Sequence, residues 1–489
     1  MVRSSALAGH LYRESGLRSV YTTGLDAWLL ILCRCCRMFA YGTSSLVLAL
    51  FFAELNVSDE HIGLFMTLTL AGDVVLSLLL TLVADKVGRR RTLLAGSVLM
   101  MLSGATFAIC EGYWVLLLAA VIGVISATGG DFGPFRAIEE STLSQLTNPK
   151  TRADVFVWYV TMSSLGSSVG TACSGWAIEW LHETRSWTLL EAYHATFWLY
   201  VATGVVNLLA TLVLSGKCEL KKDVSVPSDG TVEAEPFLDQ SNSGDEGAHG
   251  NASLPAARTA WVAQISSQTC KIMLALWFLL MVDSLADGMV SMSLTTYYMD
   301  QKFHLAKSSL GSMLSVGYLL ASCSTIFAGP LSRHMGLVNT MVFTHIPSSA
   351  AVLLFPFPRS VGLTFALLLL RVGLNNMDQA PRAALIAAVV KPEERTAVMG
   401  ITGMLRTLAS TAGPTVTGVL SGSDRFWIAF VVAGALRLAY DIGLFAMFIN
   451  IELYKHEPEA NEATQSISLR ETSRLSEDQE LAEPAAHIR

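Results

Sequence analysis

The sequence contains 489 residues, of which 52% are hydrophobic and only 15% are charged, and its formal net charge at pH 7 is −7. Soluble domains carry about 25% charged residues, so this composition excludes an ordinary soluble globular protein. The acidic excess lies largely in polar connecting segments and gives no indication of nucleic-acid binding.

Apolar runs of about 20 residues recur along the whole chain, and a run of this length crosses a bilayer as one α-helix. We predict an all-α polytopic membrane protein with twelve transmembrane spans. In chain order these spans cover 32–53, 60–83, 92–110, 113–137, 153–176, 191–214, 271–295, 308–330, 338–356, 360–388, 396–420 and 425–450. Lysines and arginines are concentrated in alternate connections, which marks those connections as cytosolic. Both chain ends are therefore expected to face the cytosol.

The connection after the sixth span differs in character from the rest of the chain. Residues 215–270 are acidic, rich in Ser, Gly and Pro and poor in aromatic residues, and such a composition cannot bury enough apolar surface to fold. We predict a cytosolic segment over 1–31, a first six-helix bundle over 32–214, a disordered linker over 215–270, a second six-helix bundle over 271–450 and a disordered cytosolic tail over 451–489.

The two predicted bundles resemble each other in sequence. Arg37 and Gly42 of the first span align with Asp283 and Gly288 of the seventh. Glycines of the fifth span align in the same order with Gly413 and Gly418 of the eleventh; they are Gly170 and Gly175. Internal repeats of this kind are typical of secondary transporters, in which the substrate site lies near the membrane midplane where the repeats meet.

The loop after the second span carries the most specific motif. It reads TLVADKVGRRRTL (81–93) and resembles the G-x-L-A-D-x-x-G-R-R-x-x-L signature of the major facilitator superfamily, with Thr81 and Val83 as departures. The matching residues are Asp85, Gly88, Arg89 and Arg90. In that family the loop latches the cytosolic side in one of two alternating states, and the resemblance implies this gating role here. It also implies the family's fold of two pseudo-symmetric six-helix bundles.

The resemblance extends less completely to the drug:proton antiporters of that family. Those proteins usually carry a Gly-Pro pair in the fifth span, which here reads GSSVGTACSGW without one. The pair occurs instead in the eleventh span as Gly413-Pro414. Multidrug efflux by proton antiport is the favoured interpretation; a proton symporter or a uniporter for a nutrient is the alternative.

Two aspartates in the seventh span are the main candidates for proton coupling. Asp283 and Asp287 lie one helical turn apart in an apolar run, with no basic residue one turn away. Like charges at this spacing repel, and together with poor hydration this favours binding of a proton. We predict a proton or cationic-substrate site here, with Arg37 facing Asp283 across a central cavity. Alternatively, both aspartates pair with a static arginine cluster.

Two spans combine helix-weakening residues with charges. The fourth span contains GGDFGPFRAIEES and the tenth NNMDQAPRAAL, and broken helices near the midplane bind substrates in transporters. We expect Asp131 and Arg136 to line the cytosolic half of the cavity, and we interpret Glu139 and Glu140 as interfacial.

Other buried charges complete the candidate set. Two i, i+4 pairs, Asp378 with Arg382 and Arg437 with Asp441, are spaced for mutual neutralisation. The candidate coupling and cavity residues are Arg37, Asp73, Asp131, Arg136, Asp283, Asp287, Arg371, Asp378, Arg382 and Arg406.

The sequence thus predicts a monomeric secondary active transporter in the plasma or vacuolar membrane that moves a small organic molecule, with protons and the bilayer as its other partners. No phosphate-binding loop, catalytic triad or metal-ligand spacing occurs in the sequence, so we expect neither an enzyme nor a metal site or other cofactor. A receptor or scaffold with a transporter fold, signalling through the acidic loop 217–258, is the alternative from a different class.

Overall fold

The computed structural model describes residues 17–123, 134–219, 267–379, 381–382, 385–386, 390 and 395–448. Asp131, most of the predicted linker and the tail lie outside the described residues, as does the side chain of Asp85. The helices of the first half are α1 (Leu17–Thr23), α2 (Leu25–Glu54), α3 (Asp59–Val87), α4 (Arg89–Ile109), α5 (Tyr113–Gly123), α6 (Pro134–Leu146), α7 (Pro149–Arg185) and α8 (Leu189–Val213). Those of the second half are α9 (Ser267–Met289), α10 (Met292–Phe303), α11 (Lys307–Met335), α12 (Leu337–Leu354), α13 (Val361–Asn375), α14 (Arg395–Gly422) and α15 (Phe426–Phe448).

These helices follow the order of the twelve predicted spans. α5 with α6 forms the fourth span, α9 with α10 the seventh, and α13 with the 3-10 turn Asn376–Asp378 begins the tenth. Large apolar side chains are exposed on the outer faces, among them Leu102, Trp176 and Phe278, as expected of surfaces that contact lipid.

By length and mean hydropathy alone, five described helices qualify as membrane spans, and the bent pair α9–α10 makes a sixth if it counts as one span. The five are α2, α4, α8, α12 and α15. α3, α7, α11 and α14 have 29, 37, 29 and 28 residues, which is enough to cross a hydrocarbon core of about 30 Å. These four helices form the main contacts between the two halves, so many of their polar side chains face protein rather than lipid.

Helix crossings repeat between the two halves. α2 packs on α7 so closely that a Cβ on Gly42 would lie 2.3 Å from the carbonyl oxygen of Ser167. In the second half α9 packs on α14, and a Cβ on Gly288 would lie 2.1 Å from the carbonyl oxygen of Ser410. Both positions therefore require glycine, in agreement with the alignment of Gly42 with Gly288.

Two glycine contacts join the halves near one end of the molecule, which we call the Asp59 end; the opposite end is the Gly88 end. Gly63 of α3 faces Gly418 of α14, and a Cβ on Gly63 would lie 2.9 Å from the Cα of Gly418. Gly175 of α7 faces Gly311 of α11 with a corresponding distance of 3.0 Å. The halves thus approach to backbone contact at the Asp59 end.

Hydrogen bonds reinforce the α3–α14 contact. The carboxylate of Asp59 accepts from the hydroxyl of Tyr297 at 2.7 Å and from that of Ser421 at 2.5 Å. Deeper in the molecule, the hydroxyls of Thr67 and Thr415 lie 2.7 Å apart. One residue of α3 is therefore tied to both α10 and α14 of the other half.

Hydrogen bonds also reinforce the α7–α11 contact. Glu179 accepts from the backbone N–H of Lys307 at 2.9 Å, at the first residue of α11. The hydroxyl of Ser168 donates to the carbonyl oxygen of Ser315 at 2.9 Å. At the Asp59 end, a carboxylate of the first half thus accepts hydrogen bonds at each of the two contacts between the halves, Asp59 at one and Glu179 at the other.

Candidate functional site

A polar cluster lies inside the second half, between α9, α12, α13 and α15. His345 lies near the middle of α12 and Arg437 near the middle of α15, where a charge is stable only beside partners or a cavity. The cluster comprises Asp283, Asp287, His345, Arg371, Asn375, Asp378, Arg382, Arg437 and Asp441.

Arg437 of α15 is the centre of this cluster and has 0% exposure. Its Nη1 donates to Asp287 at 2.6 Å, and its Nη2 donates to His345 Nε2 at 2.7 Å and to the side-chain oxygen of Asn375. The planar guanidinium therefore holds α9, α12 and α13 together from one side chain. Asp287 is 34% exposed on its side chain, so it is the member of this pair that faces open space.

The hydrogen-bond network fixes the tautomer of His345. Arginine only donates hydrogen bonds, so Nε2 of His345 accepts from Arg437 and Nδ1 carries the ring proton. Nδ1 donates to Asp441 at 2.7 Å, and Ser349 donates to the other oxygen of Asp441 at 2.7 Å. The imidazole in this state is neutral, with its proton directed at Asp441.

Asp283 is the most loosely held carboxylate of the cluster. It is 1% exposed, yet its Oδ1 lies 3.7 Å from His345 Nε2 and its Oδ2 lies 3.9 Å from Arg382 Nη1. Within the described part of the chain, Oδ1 accepts no hydrogen bond. Asp378, by contrast, lies 3.0 Å from Arg382, which confirms that i, i+4 pair. The predicted pair of Arg437 with Asp441 is wrong, because Arg437 binds Asp287 and Asp441 binds His345.

Arg371, one of the predicted cavity residues, stabilises the break in the seventh span. Its guanidinium donates to the hydroxyl of Thr295 at 2.7 Å and to the carbonyl oxygen of Val290. α9 and α10 meet at this point with a bend of 41°. The last carbonyl groups of a helix lack partners within it, and Arg371 supplies a cationic donor for one of them.

The first half contains a smaller ion pair. Arg37 of α2 pairs with Glu139 of α6, which has 0% exposure and also accepts from the hydroxyl of Tyr159 at 2.7 Å. The prediction that Arg37 faces Asp283 is therefore wrong, and so is the interpretation of Glu139 as interfacial. Arg136 pairs with Glu140 at 2.6 Å on a partly exposed face of α6.

The two other described candidates, Asp73 and Arg406, belong to α3 and α14. Asp73 is buried in α3, and its Oδ1 accepts no hydrogen bond from the described residues. Arg406 of α14 donates to the hydroxyl of Ser284 at 3.0 Å, beside Asp283 in α9.

The ion pairs of the two halves have opposite polarity. In the first half the cation Arg37 lies on the first span and the anion Glu139 on the fourth. In the second half the anion Asp283 lies on the seventh span and the cation Arg382 on the tenth. Spans at corresponding positions of the two halves thus carry charges of opposite sign. The charges of Asp283 and Arg382 lie farther apart than those of Arg37 and Glu139.

The loop that resembles the family signature is held by a residue from outside it. Gly88 adopts a left-handed φ of 106° and precedes the first turn of α4. Glu219 accepts from the backbone N–H groups of Arg89 and Arg90 at 2.8 and 3.2 Å. The side chain of Arg89 in turn donates to Gln145 at 3.0 Å. Because α4 has no side-chain cap of its own, Glu219 satisfies its first donors and complements its dipole.

Replacing Glu219 with alanine is expected to destabilise the protein by about 1–2 kcal/mol, since a lost cap and a lost charge at a helix N-terminus each cost about 1 kcal/mol. Thermal unfolding in detergent measures this effect. Glu183, an exposed glutamate, provides the control substitution Glu183→Ala. Equal midpoints for the two variants would contradict the capping role.

The sequence analysis missed His345 and Glu219, and it placed Glu139 at the membrane interface rather than in a buried ion pair. A signal existed for His345, because it is a histidine near the middle of a predicted span, whereas His61 and His194 lie near span ends. Glu219 lies at the start of an acidic segment, where no pattern distinguishes it from its neighbours.

Three comparisons with known proteins agree with this architecture. The family model of the Major Facilitator Superfamily matches residues 30–264 and 276–482. The uncharacterized membrane protein YJR124C of Saccharomyces cerevisiae is 30% identical over 427 residues, which cover 85% of this chain and 92% of the yeast protein.

Solved transporter structures share the fold at low sequence identity. The nucleoside transporter NupG is 13% identical with a TM-score of 0.61, covering 87% of this chain and 100% of its own. A bacterial homolog of the human lysosomal transporter Spinster, inward-facing and occupied, is 13% identical with a TM-score of 0.63, covering 87% and 96%. The inward-open xylose transporter XylE from E. coli is 11% identical with a TM-score of 0.60, covering 88% and 97%. The chain is an integral, multi-pass membrane transporter that belongs to the major facilitator superfamily.

Proposed function

We propose that the protein is a proton-coupled secondary active transporter that exports a small organic molecule by alternating access, with the Gly88 end in the cytosol. The observation that carries the proposal is Asp283, a carboxylate at 1% exposure that lies 3.7 Å from the neutral imidazole of His345 and 3.9 Å from the guanidinium of Arg382. Oδ1 of Asp283 accepts no hydrogen bond from the described residues, so this oxygen has room to carry a proton. Sites of this kind in transmembrane helices mark proton pathways.

Alternating access is supported by how the halves meet. Backbone contacts at Gly63–Gly418 and Gly175–Gly311 close the Asp59 end. Such contacts are either fully made or separated, because packed helix interfaces are bistable. Opening them while the Gly88 end closes would expose the polar cluster to the other side.

The Gly-Pro pair of the eleventh span connects the seventh span to the contact between the halves. Gly413 packs on the break of the seventh span, where its Cβ would lie 2.3 Å from the backbone nitrogen of Met289. The carbonyl of Pro414 contacts Gly63 across the interface between the halves. The pair therefore lies where a change at Asp283 reaches the contact that closes the Asp59 end. The cytosolic position of the Gly88 end is supported by Arg89, Arg90 and Arg91 in its loop.

The test is transport by purified protein in liposomes, using a mixed panel of metabolites and drugs with and without an imposed proton gradient. We expect gradient-driven movement by the wild-type protein and a loss of at least tenfold in Asp283→Asn. Asp424→Asn is the matched control, since Asp424 is exposed and has a φ of 57° that asparagine also adopts.

Each alternative has its own outcome. Equal gradient-driven transport by both variants would return Asp283 to a structural role. Equilibration without accumulation would identify a uniporter, and accumulation in the direction of proton flow would identify a symporter.

A further inference from the structure

We infer that His345 is the group that receives the proton of Asp283, and that Arg437 competes with this proton for the Nε2 atom of the histidine. The inference rests on the proposed proton coupling and names the residue that converts proton binding into a change of helix contacts. Neither the sequence motifs nor the ion pairs alone single out His345.

The geometry around His345 is that of an acceptor shared by two donors. Nε2 accepts from Arg437 at 2.7 Å and lies 3.7 Å from Asp283 Oδ1. Nδ1 is committed to Asp441, which Ser349 also binds. A movement of about 1 Å brings Asp283 Oδ1 into hydrogen-bond distance of Nε2. Nε2 cannot carry a proton and accept from Arg437 together.

The charged side chains around His345 favour the binding of one proton by the cluster that Asp283, His345 and Asp441 form. Asp283 and Asp287 approach from α9, and Arg437, Tyr440 and Asp441 approach from α15. Asp378 and Arg382 belong to the tenth span, and Ser349 lies on α12 itself. Arg406 of α14 lies near Asp283. Arg437 is closest to Asp287 and Arg382 is closest to Asp378. The carboxylates of Asp283 and Asp441 remain on two sides of one neutral imidazole.

The transfer of the proton from Asp283 to His345 is balanced within the cluster. The O–H bond of protonated Asp283 breaks and an N–H bond forms at His345 Nε2, which gives a carboxylate and an imidazolium in contact. The imidazolium then donates to Asp441 through Nδ1 and to Asp283 through Nε2. Neither the proton nor the charge leaves the cluster.

Arg437 must leave Nε2 in this step. Its Nη1 keeps Asp287, and its Nη2 keeps Asn375. The hydrogen bond from Arg437 to His345 is lost, which leaves Arg437 only its 3.5 Å hydrogen bond to Ser348 on α12, while a new link between α12 and α9 forms through His345 and Asp283. Proton binding thus exchanges one helix contact for another, which is the step that proton coupling requires.

The test is solid-state ¹⁵N NMR of full-length protein labelled at histidine and reconstituted in lipid, without any transported substrate. The His345 signals are assigned by their absence in His345→Asn. In the wild type at neutral pH we expect a protonated Nδ1 and an unprotonated Nε2. In Arg437→Met, which removes the competing donor, we expect both nitrogens protonated at the same pH. Adding Asp283→Asn to Arg437→Met should return Nε2 to the unprotonated state.

An unprotonated Nε2 in Arg437→Met, or a doubly protonated His345 in the wild type at neutral pH, would overturn the inference. If Arg437→Met does not fold, acidification of the wild type makes the same test. In the wild type, Nε2 must then gain its proton as the Arg437–His345 contact is lost. This protonation must occur at a higher pH in the wild type than in Asp283→Asn. The measurement does not depend on transport, so a protein that switches its imidazole without proton-driven transport would refute only the proposed coupling.

Discussion

Replacing Glu139 with alanine is expected to destabilise the protein by about 3–5 kcal/mol, the usual cost of removing one partner from a buried ion pair. Glu139 has 0% exposure and holds both Arg37 and the hydroxyl of Tyr159. Without the carboxylate, the guanidinium of Arg37, whose side chain is only 18% exposed, loses the one counter-charge with which it pairs among the described residues. Thermal unfolding in detergent, followed by loss of the monodisperse peak, measures the effect.

The neighbouring residue gives a matched control. Glu140 forms an i, i+4 pair with Arg136, in which both side chains are partly exposed, so Glu140→Ala should cost less than about 1 kcal/mol. Equal losses in the two variants would contradict the assignment of Glu139 to a buried pair.

A double replacement separates stability from function at the same site. Arg37→Met with Glu139→Leu removes both charges, and exchanging a buried ion pair for apolar residues is often neutral or stabilising. We expect the double variant to recover most of the stability that Glu139→Ala loses. If it folds and no longer transports, the pair takes part in transport; if it transports normally, Arg37 serves structure alone.

The helices and their order follow from the sequence because apolar runs of spanning length report directly on the bilayer. In the fourth span α5 ends at Gly123 and α6 begins at Pro134; residues 124–133, which include most of the Gly-Gly-Asp-Phe-Gly-Pro segment, lie outside the described ranges. The break at Val290 was not predicted. It depends on Arg371, which comes from another span and satisfies the carbonyl that the break leaves open.

The partners of buried charges follow from the sequence only where they are local. Asp378 and Arg382 are one turn apart on the same span, and their pair was predicted correctly. Arg437 and Asp441 have the same spacing, but Asp287 and His345 approach from α9 and α12 and bind them instead. Spacing along one helix cannot report what neighbouring helices present.

The prediction for Arg37 failed for a related reason. Alignment of the repeats places Arg37 and Asp283 at corresponding positions, which suggested that they face each other. In the structure Arg37 pairs with Glu139 of its own half, and the basic side chains nearest to Asp283, His345 and Arg382 at 3.7 and 3.9 Å, also belong to its own half. Corresponding positions share a location in the fold and need not share a contact.

Replacing Gly63 with valine is expected to hold the Asp59 end open and to reduce transport by about tenfold or more. The added Cβ would lie 2.4 Å from the carbonyl oxygen of Pro414 and 2.9 Å from the Cα of Gly418. Both are backbone atoms, so α3 and α14 must separate to relieve the overlap. Overpacking of this kind costs about 1–3 kcal/mol, which changes an equilibrium between two states by about 5- to 150-fold.

The separation is measured directly with a cysteine at Thr67, whose hydroxyl meets that of Thr415 in the closed contact. In a background with the eight native cysteines replaced, Thr67→Cys should react faster with a membrane-impermeant maleimide when Gly63→Val is present. Gly362→Val is the matched control, because nothing lies within 4 Å of a Cβ at that position of α13. Equal reaction rates in the two backgrounds would show that the glycine contact does not control closure. Faster reaction with unchanged transport would show that opening of the Asp59 end does not limit the cycle.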